Sequence, residues 1–218
     1  MSEAPLQQIF ERQSLPPFEH SHYSGGGVLL YAYQQQKDGT KRAYLLLGQE
    51  RELSYDDFGG SRGKGERHPI LTAAREFYEE SIGAIYNLEE ITKKILESNI
   101  FVFEANFYQY WVEIPFDDRV LDNFSKVRKE KEPTATKYEL EKQNLRWFAV
   151  ENIRKSVQEF SKRRPDPYED SKKVDPFRKP LFCEECVMRK HLIKTMSKAE
   201  QTGLLEKLEK GLLQPEQN

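Results

Sequence analysis

Gly59-Gly60-Ser61-Arg62-Gly63-Lys64-Gly65-Glu66, followed after eight residues by Arg75-Glu76-Phe77-Tyr78-Glu79-Glu80-Ser81-Ile82-Gly83, is the stretch on which the reading of this 218-residue chain turns. Pro69 suits the first turn of a helix, and Ile70, Leu71, Ala74, Phe77, Tyr78 and Ile82 recur at three- and four-residue spacings. A helix is therefore expected over 69–81, with Gly83 at its C-terminal stop. On it Glu76 lies three residues before Glu79 and four before Glu80, which turns all three carboxylates toward one edge. Most glutamate clusters are solvated helix faces. This one follows four glycines in seven positions, a context that favours a site over a plain solvated face. The glycines also disfavour a regular helix or a central strand over 59–65.

Upstream, residues 28–33 and 43–48 are apolar nearly throughout and are separated by Lys37-Asp38-Gly39-Thr40, the pattern of two buried strands joined as a hairpin. Residues 1–26 are polar and proline-containing and read as a mobile lead-in. Downstream, a short helix is expected over 88–96, and the aromatic run 100–114 reads as one long strand or two joined by a bend. A strand over 145–150 and a helix over 151–160 follow. Strands mixed with helices in this way point to an α/β sandwich, with residues 27–160 as the main domain. Residues 161–218 then form a basic linker and C-terminal helices, over 181–196 and 204–213, packed on or beside that domain.

A formal net charge of -2 with 32% charged residues gives no overall bias toward nucleic acid or membrane. No apolar run is long enough to span a bilayer, and the N-terminus lacks the organisation of a secretory signal, so a cytoplasmic or nuclear location is expected. Residues 161–198 carry eleven Lys or Arg against six Asp or Glu, the regional basic excess of the chain. Cys183 and Cys186, with His191, resemble half of a zinc site, but without a second cysteine pair a reduced pair starting a helix is the better reading.

Carboxylates with nothing but oxygen to offer suit Mg2+ or Mn2+, which also bind substrate phosphates. The string resembles the signature of the Nudix hydrolase superfamily: Gly60, Glu66, Arg75, Glu76, Phe77, Glu79, Glu80 and Gly83 match it in kind and order. It departs in having eight residues rather than seven before Arg75, and two rather than one before Gly83, both at helix ends. The resemblance implies an α/β/α sandwich with a mixed sheet, to which the C-terminal helices are an addition. It also implies divalent-metal-dependent hydrolysis of a phosphoanhydride bond in a nucleoside-diphosphate-linked substrate. Carried over, it makes Glu76, Glu79 and Glu80 metal ligands, directly or through water, with the Gly59 carbonyl beside them. Glu76 or Glu80 would be the base. Arg75 joins the catalytic set, more as an ion-pair partner than as a substrate contact, and Glu66, Gly60 and Gly83 hold loop to helix. Many relatives add an acidic residue from beyond the motif, here Glu139 or Glu141.

For the substrate, Arg62 and Lys64 are candidates to meet distal phosphates, and Phe58, Tyr108 and Tyr110 to stack a base, with Trp111 and Trp147 in reserve. Strand alternation puts Tyr108 and Tyr110 on one side and Trp111 on the other. An RNA-cap or inositol-pyrophosphate hydrolase is the alternative, favoured by the basic residues of 162–179 and weakened by the acids among them. A non-catalytic nucleotide- or RNA-binding member of the fold is the other. Leu204, Leu205, Leu208, Leu212 and Leu213 would serve a cap over the site or contact with a second chain equally well.

Overall fold

Five successive buried residues, 28–32, need cover on both faces of a strand, and both faces are covered. The structure, a computed structural model, describes residues 22–162, 181–183 and 186–213. β1 (Gly25–Gln35) and β2 (Lys41–Gln49) form the hairpin, turning at Gly39 with a φ of 85°. Val28, Leu30 and Ala32 face one core and Leu29 and Tyr31 the other. β6 (Phe107–Glu113) alternates likewise, Tyr108, Tyr110 and Val112 against Trp111.

The first core is roofed by α1 (Pro69–Glu80), α2 (Leu88–Ser98) and α3 (Arg119–Lys131), through Ile70, Ala74, Phe77, Ile91, Ile95 and Phe124. α2 starts on a capping box, Asn87 and Glu90 each accepting from the other's backbone amide, a device worth about 1 kcal/mol. The second core is roofed by α4 (Val150–Lys162), α5 (Lys190–Gln201) and α6 (Leu204–Glu209), through Ile153, Val157, Leu192, Ile193, Met196, Leu205 and Leu208. The C-terminal helices are thus one of the two layers. Leu205, Leu208 and Leu213 are buried in that core and Leu212 is exposed. No described helix is long and apolar enough to cross a membrane.

The sheet runs β5 (Phe101–Glu104), β6, β1, β2, β3 (Ser54–Asp56), β9 (Cys186–Met188), β8 (Leu181–Cys183). β4 (Phe58–Ser61) is added on β1 and β7 (Asn144–Ala149) on β2. The β1–β6 and β3–β9 pairs are parallel and the rest antiparallel, which makes the sheet mixed. β1 and β2 pair only as far as Leu30 and Leu46; beyond that they fork, β4 pairing with β1 and β3 with β2, so Asp57 lies at the fork.

Four elements differ from expectation. The glycines at 25–27 belong to β1, not to a lead-in, and Gly59 and Gly60 belong to a strand: Gly27 pairs with Gly59 and Gly26 with Gly60. Glycine against glycine lets the backbones carry the Phe107 ring, which lies 2.9 Å from where a Gly59 Cβ would be. α3 has no counterpart among the expected helices, although Val120, Leu121, Phe124 and Val127 have helical spacing. Residues 181–183 and 186–188 pair as a small hairpin instead of beginning a helix, with Cys183 opposite Cys186. Finally, α1 ends at Glu80, and the extra residue before Gly83 is taken up by Ile82 at φ 53°, a left-handed conformation unusual for a β-branched residue.

Candidate active site

α1 sets out from the glycine strand, and its two glutamates after Tyr78 part at once. Consecutive helical residues point about 100° apart, so Glu79 and Glu80 cannot share an edge. Glu80 turns inward and is buried, accepting a hydrogen bond from the Gly59 amide at 2.9 Å. Glu79 turns to Arg75 at 2.9 Å. The expected three-carboxylate edge is therefore divided.

Arg75 organises the outer part. Its guanidinium pairs with Glu66 at 2.6 Å, Glu76 at 2.9 Å and Glu79, and donates to the Ser61 carbonyl at 3.0 Å. Those contacts are the ion pairs that the sequence reading gave Arg75 in preference to a substrate contact. Glu66 also accepts from the Gly63 amide and the Thr72 hydroxyl, tying loop to helix. Burial pushes the Glu66 carboxyl up, but the Arg75, Thr72 and Gly63 hydrogen bonds outweigh it and hold it below the usual range. Glu76 crosses Gly60 so closely that a Cβ there would lie 2.6 Å from its carboxyl carbon. Burial raises Glu76 in spite of Arg75.

The inner part is a cluster that local sequence could not show. Carboxylate oxygens of Glu50, Glu80 and Glu141 lie within 4.8 Å of one another. Glu50 follows β2 and Glu141 precedes β7, strands that pair with each other. The ammonium of Lys142, whose side chain is 1% exposed, sits among them, in a short ion pair to Glu50 and 3.5 Å from Glu80. Burial, then the repulsion of Glu141, Glu50 and Asp56, carries Glu80 well above the ordinary carboxylate range, although Lys142 opposes this. Glu141 is raised by burial and by Glu50. Of the two further acids named from the sequence, Glu141 is at this cluster; Glu139 accepts from the Thr136 amide and hydroxyl instead.

Beside it, at the fork, buried Asp56 and Asp57 hold His191 of α5, at 3.2 Å to Nδ1 and 3.0 Å to Nε2. Gln109 donates to Asp57 at 2.6 Å and is itself fixed by the Trp111 indole N–H. Burial alone would lower the His191 pKa, but the two carboxylates lift it well above the usual imidazole value. Arg189 reaches Glu50, Asp56 and Glu141, each at 3.7 Å. A cavity of about 360 Å³ opens on Arg189, Lys190, His191, Lys194, Glu104 and Phe107.

The aromatic residues assigned to base stacking lie in the core: Phe58 against Phe77, and Tyr108 and Tyr110 with Phe101. Flat apolar faces on a central strand are worth more buried than offered to a ligand. Arg62 lies over the Tyr23 ring and donates to the Glu66 carbonyl, and Lys64 is exposed. Gly59 meets the cluster through its amide. Gly83 adopts a φ of 65° after α1. The cysteine side chains and most of the basic stretch 162–179 lie outside the described residues.

No family model and no curated protein matches the chain. Solved structures similar to it in part include the following two. An Ap4A hydrolase of C. elegans, as a binary complex, is 16% identical over 60% of this chain and 82% of its own, with a TM-score of 0.35. A mutT/nudix family protein from Listeria innocua is 11% identical over 63% of this chain and 84% of its own, with a TM-score of 0.33. At that level of similarity the functional reading rests on the chain's own side chains.

Proposed function

We propose that the protein is a Nudix-type pyrophosphohydrolase that uses Mg2+ or Mn2+ to cleave a phosphoanhydride bond in a nucleoside-diphosphate-linked substrate. The observation that carries this reading is the cluster of carboxylate oxygens from Glu50, Glu80 and Glu141, in which Glu80 is placed by the glycine strand and helix that resemble the Nudix signature and Glu50 and Glu141 by the paired strands β2 and β7. The three carboxylates meet there with the Lys142 ammonium and the Arg189 guanidinium, and hard oxygen donors gathered in this way fit a hard divalent cation. Glu80, Glu50 and Glu141 would hold the ion. When bound, it would offset charge on the phosphate oxygens and sharpen the nucleophilicity of water.

The chain's own groups do the rest. The Gly59 amide fixes one Glu80 oxygen. Arg75 fixes Glu76 and Glu79, and Glu76, held over Gly60, is with Glu80 a candidate base for water. Arg189, Lys190 and Lys194 give the neighbouring cavity the positive charge to receive the flanking phosphate and the group attached to it. The substrate is thereby assigned to this cavity rather than to Phe58, Tyr108 and Tyr110.

A hydrolysis panel with Mg2+ and separately Mn2+ tests the reading: nucleoside triphosphates, ADP-ribose, NADH, dinucleoside polyphosphates, capped RNA and inositol pyrophosphates, each with Glu80→Gln as control. The glutamine keeps an oxygen for the Gly59 amide and so preserves the fold. One class should turn over and lose about a hundredfold or more in the variant. Equal rates in both proteins overturn the assignment of the centre.

A further inference from the structure

Lys142 is the residue of this centre that metal-dependent hydrolysis does not call for. A lysine side chain is almost never fully buried unless its charge is matched, and this one is matched by Glu50 and Glu80. Its stem is accommodated as deliberately as its head. Gly48 of β2 lies beneath it, and a Cβ at that position would stand 2.6 Å from Lys142 Cδ and 2.9 Å from Cγ. The lysine thus runs through a channel that only glycine leaves open and ends at the oxygens a metal would need. Arg128 steadies the approach, donating to the Lys142 carbonyl at 3.1 Å and to the Gln143 side chain at 2.9 Å.

We infer that Lys142 is a tethered cation occupying one cation's place among Glu50, Glu80 and Glu141, so that a divalent ion enters the cluster only in competition with the ammonium. The inference rests on the metal-dependent reading above. Its consequence is a centre that keeps its buried carboxylates compensated in the absence of metal and takes up the ion weakly, when the phosphates of the substrate arrive with further oxygen ligands.

The test reads metal alone. Mn2+ binding is followed by the loss of the free-ion EPR signal in wild type, Lys142→Met and Gly48→Ala, without substrate. Lys142→Met empties the place and should bind Mn2+ at least about tenfold more tightly. Adding Glu50→Gln to that variant should remove the gain. Gly48→Ala keeps the lysine but pushes its stem aside, and should tighten binding in the same direction; it decides the matter if Lys142→Met does not fold. Unchanged, weaker or absent Mn2+ binding in the folded variants overturns the inference. Because no turnover is measured, tight binding without hydrolysis on the substrate panel would overturn the proposed function and leave the tethered cation standing.

Discussion

His191→Leu removes the imidazolium that bridges Asp56 and Asp57 and leaves two buried carboxylates facing each other. Breaking a buried pair by deleting one partner costs about 3–5 kcal/mol. The His191 side chain is 36% exposed, so water already screens part of the attraction, and we expect about 2–3 kcal/mol. With an m-value of about 2 kcal/mol/M, the urea midpoint at pH 7 should fall by about 1 M or slightly more. The pH dependence carries a definite sign. The folded imidazole holds its proton well above its usual pKa of 6.5, so the folded state binds more protons than the unfolded one from about neutrality upward. That stability is complete below pH 6.5 and is lost as pH rises through the folded value, at up to about 1.4 kcal/mol per pH unit. Urea denaturation of wild type should show this decline, and the uncharged triple variant Asp56→Asn, Asp57→Asn, His191→Gln should show a shallower one, because the raised Glu80 and Glu141 still contribute. A His191→Leu protein as stable as wild type at pH 7, or identical pH slopes in wild type and the triple variant, would refute the account.

Two further outcomes follow from single contacts. Arg75→Lys replaces a planar fork serving Glu66, Glu76, Glu79 and Ser61 by a point charge that can serve one or two of them; it should cost about 2 kcal/mol, read by urea denaturation, and stability within about 0.5 kcal/mol of wild type would contradict the organising role of Arg75. Leu53 stands at φ 64° with 69% of its surface exposed, so it is strained and buries little; Leu53→Asn should gain about 1 kcal/mol and raise the calorimetric melting temperature by about 2–4 °C.

What was legible beforehand was local. The helix ending at Glu80 and the β1–β2 hairpin follow from period and turn chemistry within a dozen residues. The glycine strand was illegible because glycine's poor strand propensity is overridden by its partner, a second glycine run more than thirty residues earlier. The small β8–β9 hairpin was lost because three-residue apolar runs carry no readable period. At the site, Glu80 could be named from the motif, and Glu141 as one of two acids beyond it. Glu50, Lys142 and the Asp56–Asp57–His191 group have no sequence neighbours that announce them; they meet only because β2, β3, β7 and β9 lie side by side. The aromatic assignments failed for the opposite reason: Phe58, Tyr108 and Tyr110 look like ligand platforms in a string and are core in a sheet.

The parallel pairing of β9 on β3 also sets a timetable. Arg189 and His191 emerge from the ribosome long after Asp57, His191 lying 134 positions further along the chain than that acid. Until β9 arrives, the nascent chain has an unclaimed edge at β3 and two aspartates with no imidazole to meet them. The acidic wall of the centre is therefore complete before Arg189 and His191 arrive, and a polypeptide released early carries the whole glycine loop and helix yet lacks the two cations that meet its acids from the far end of the chain.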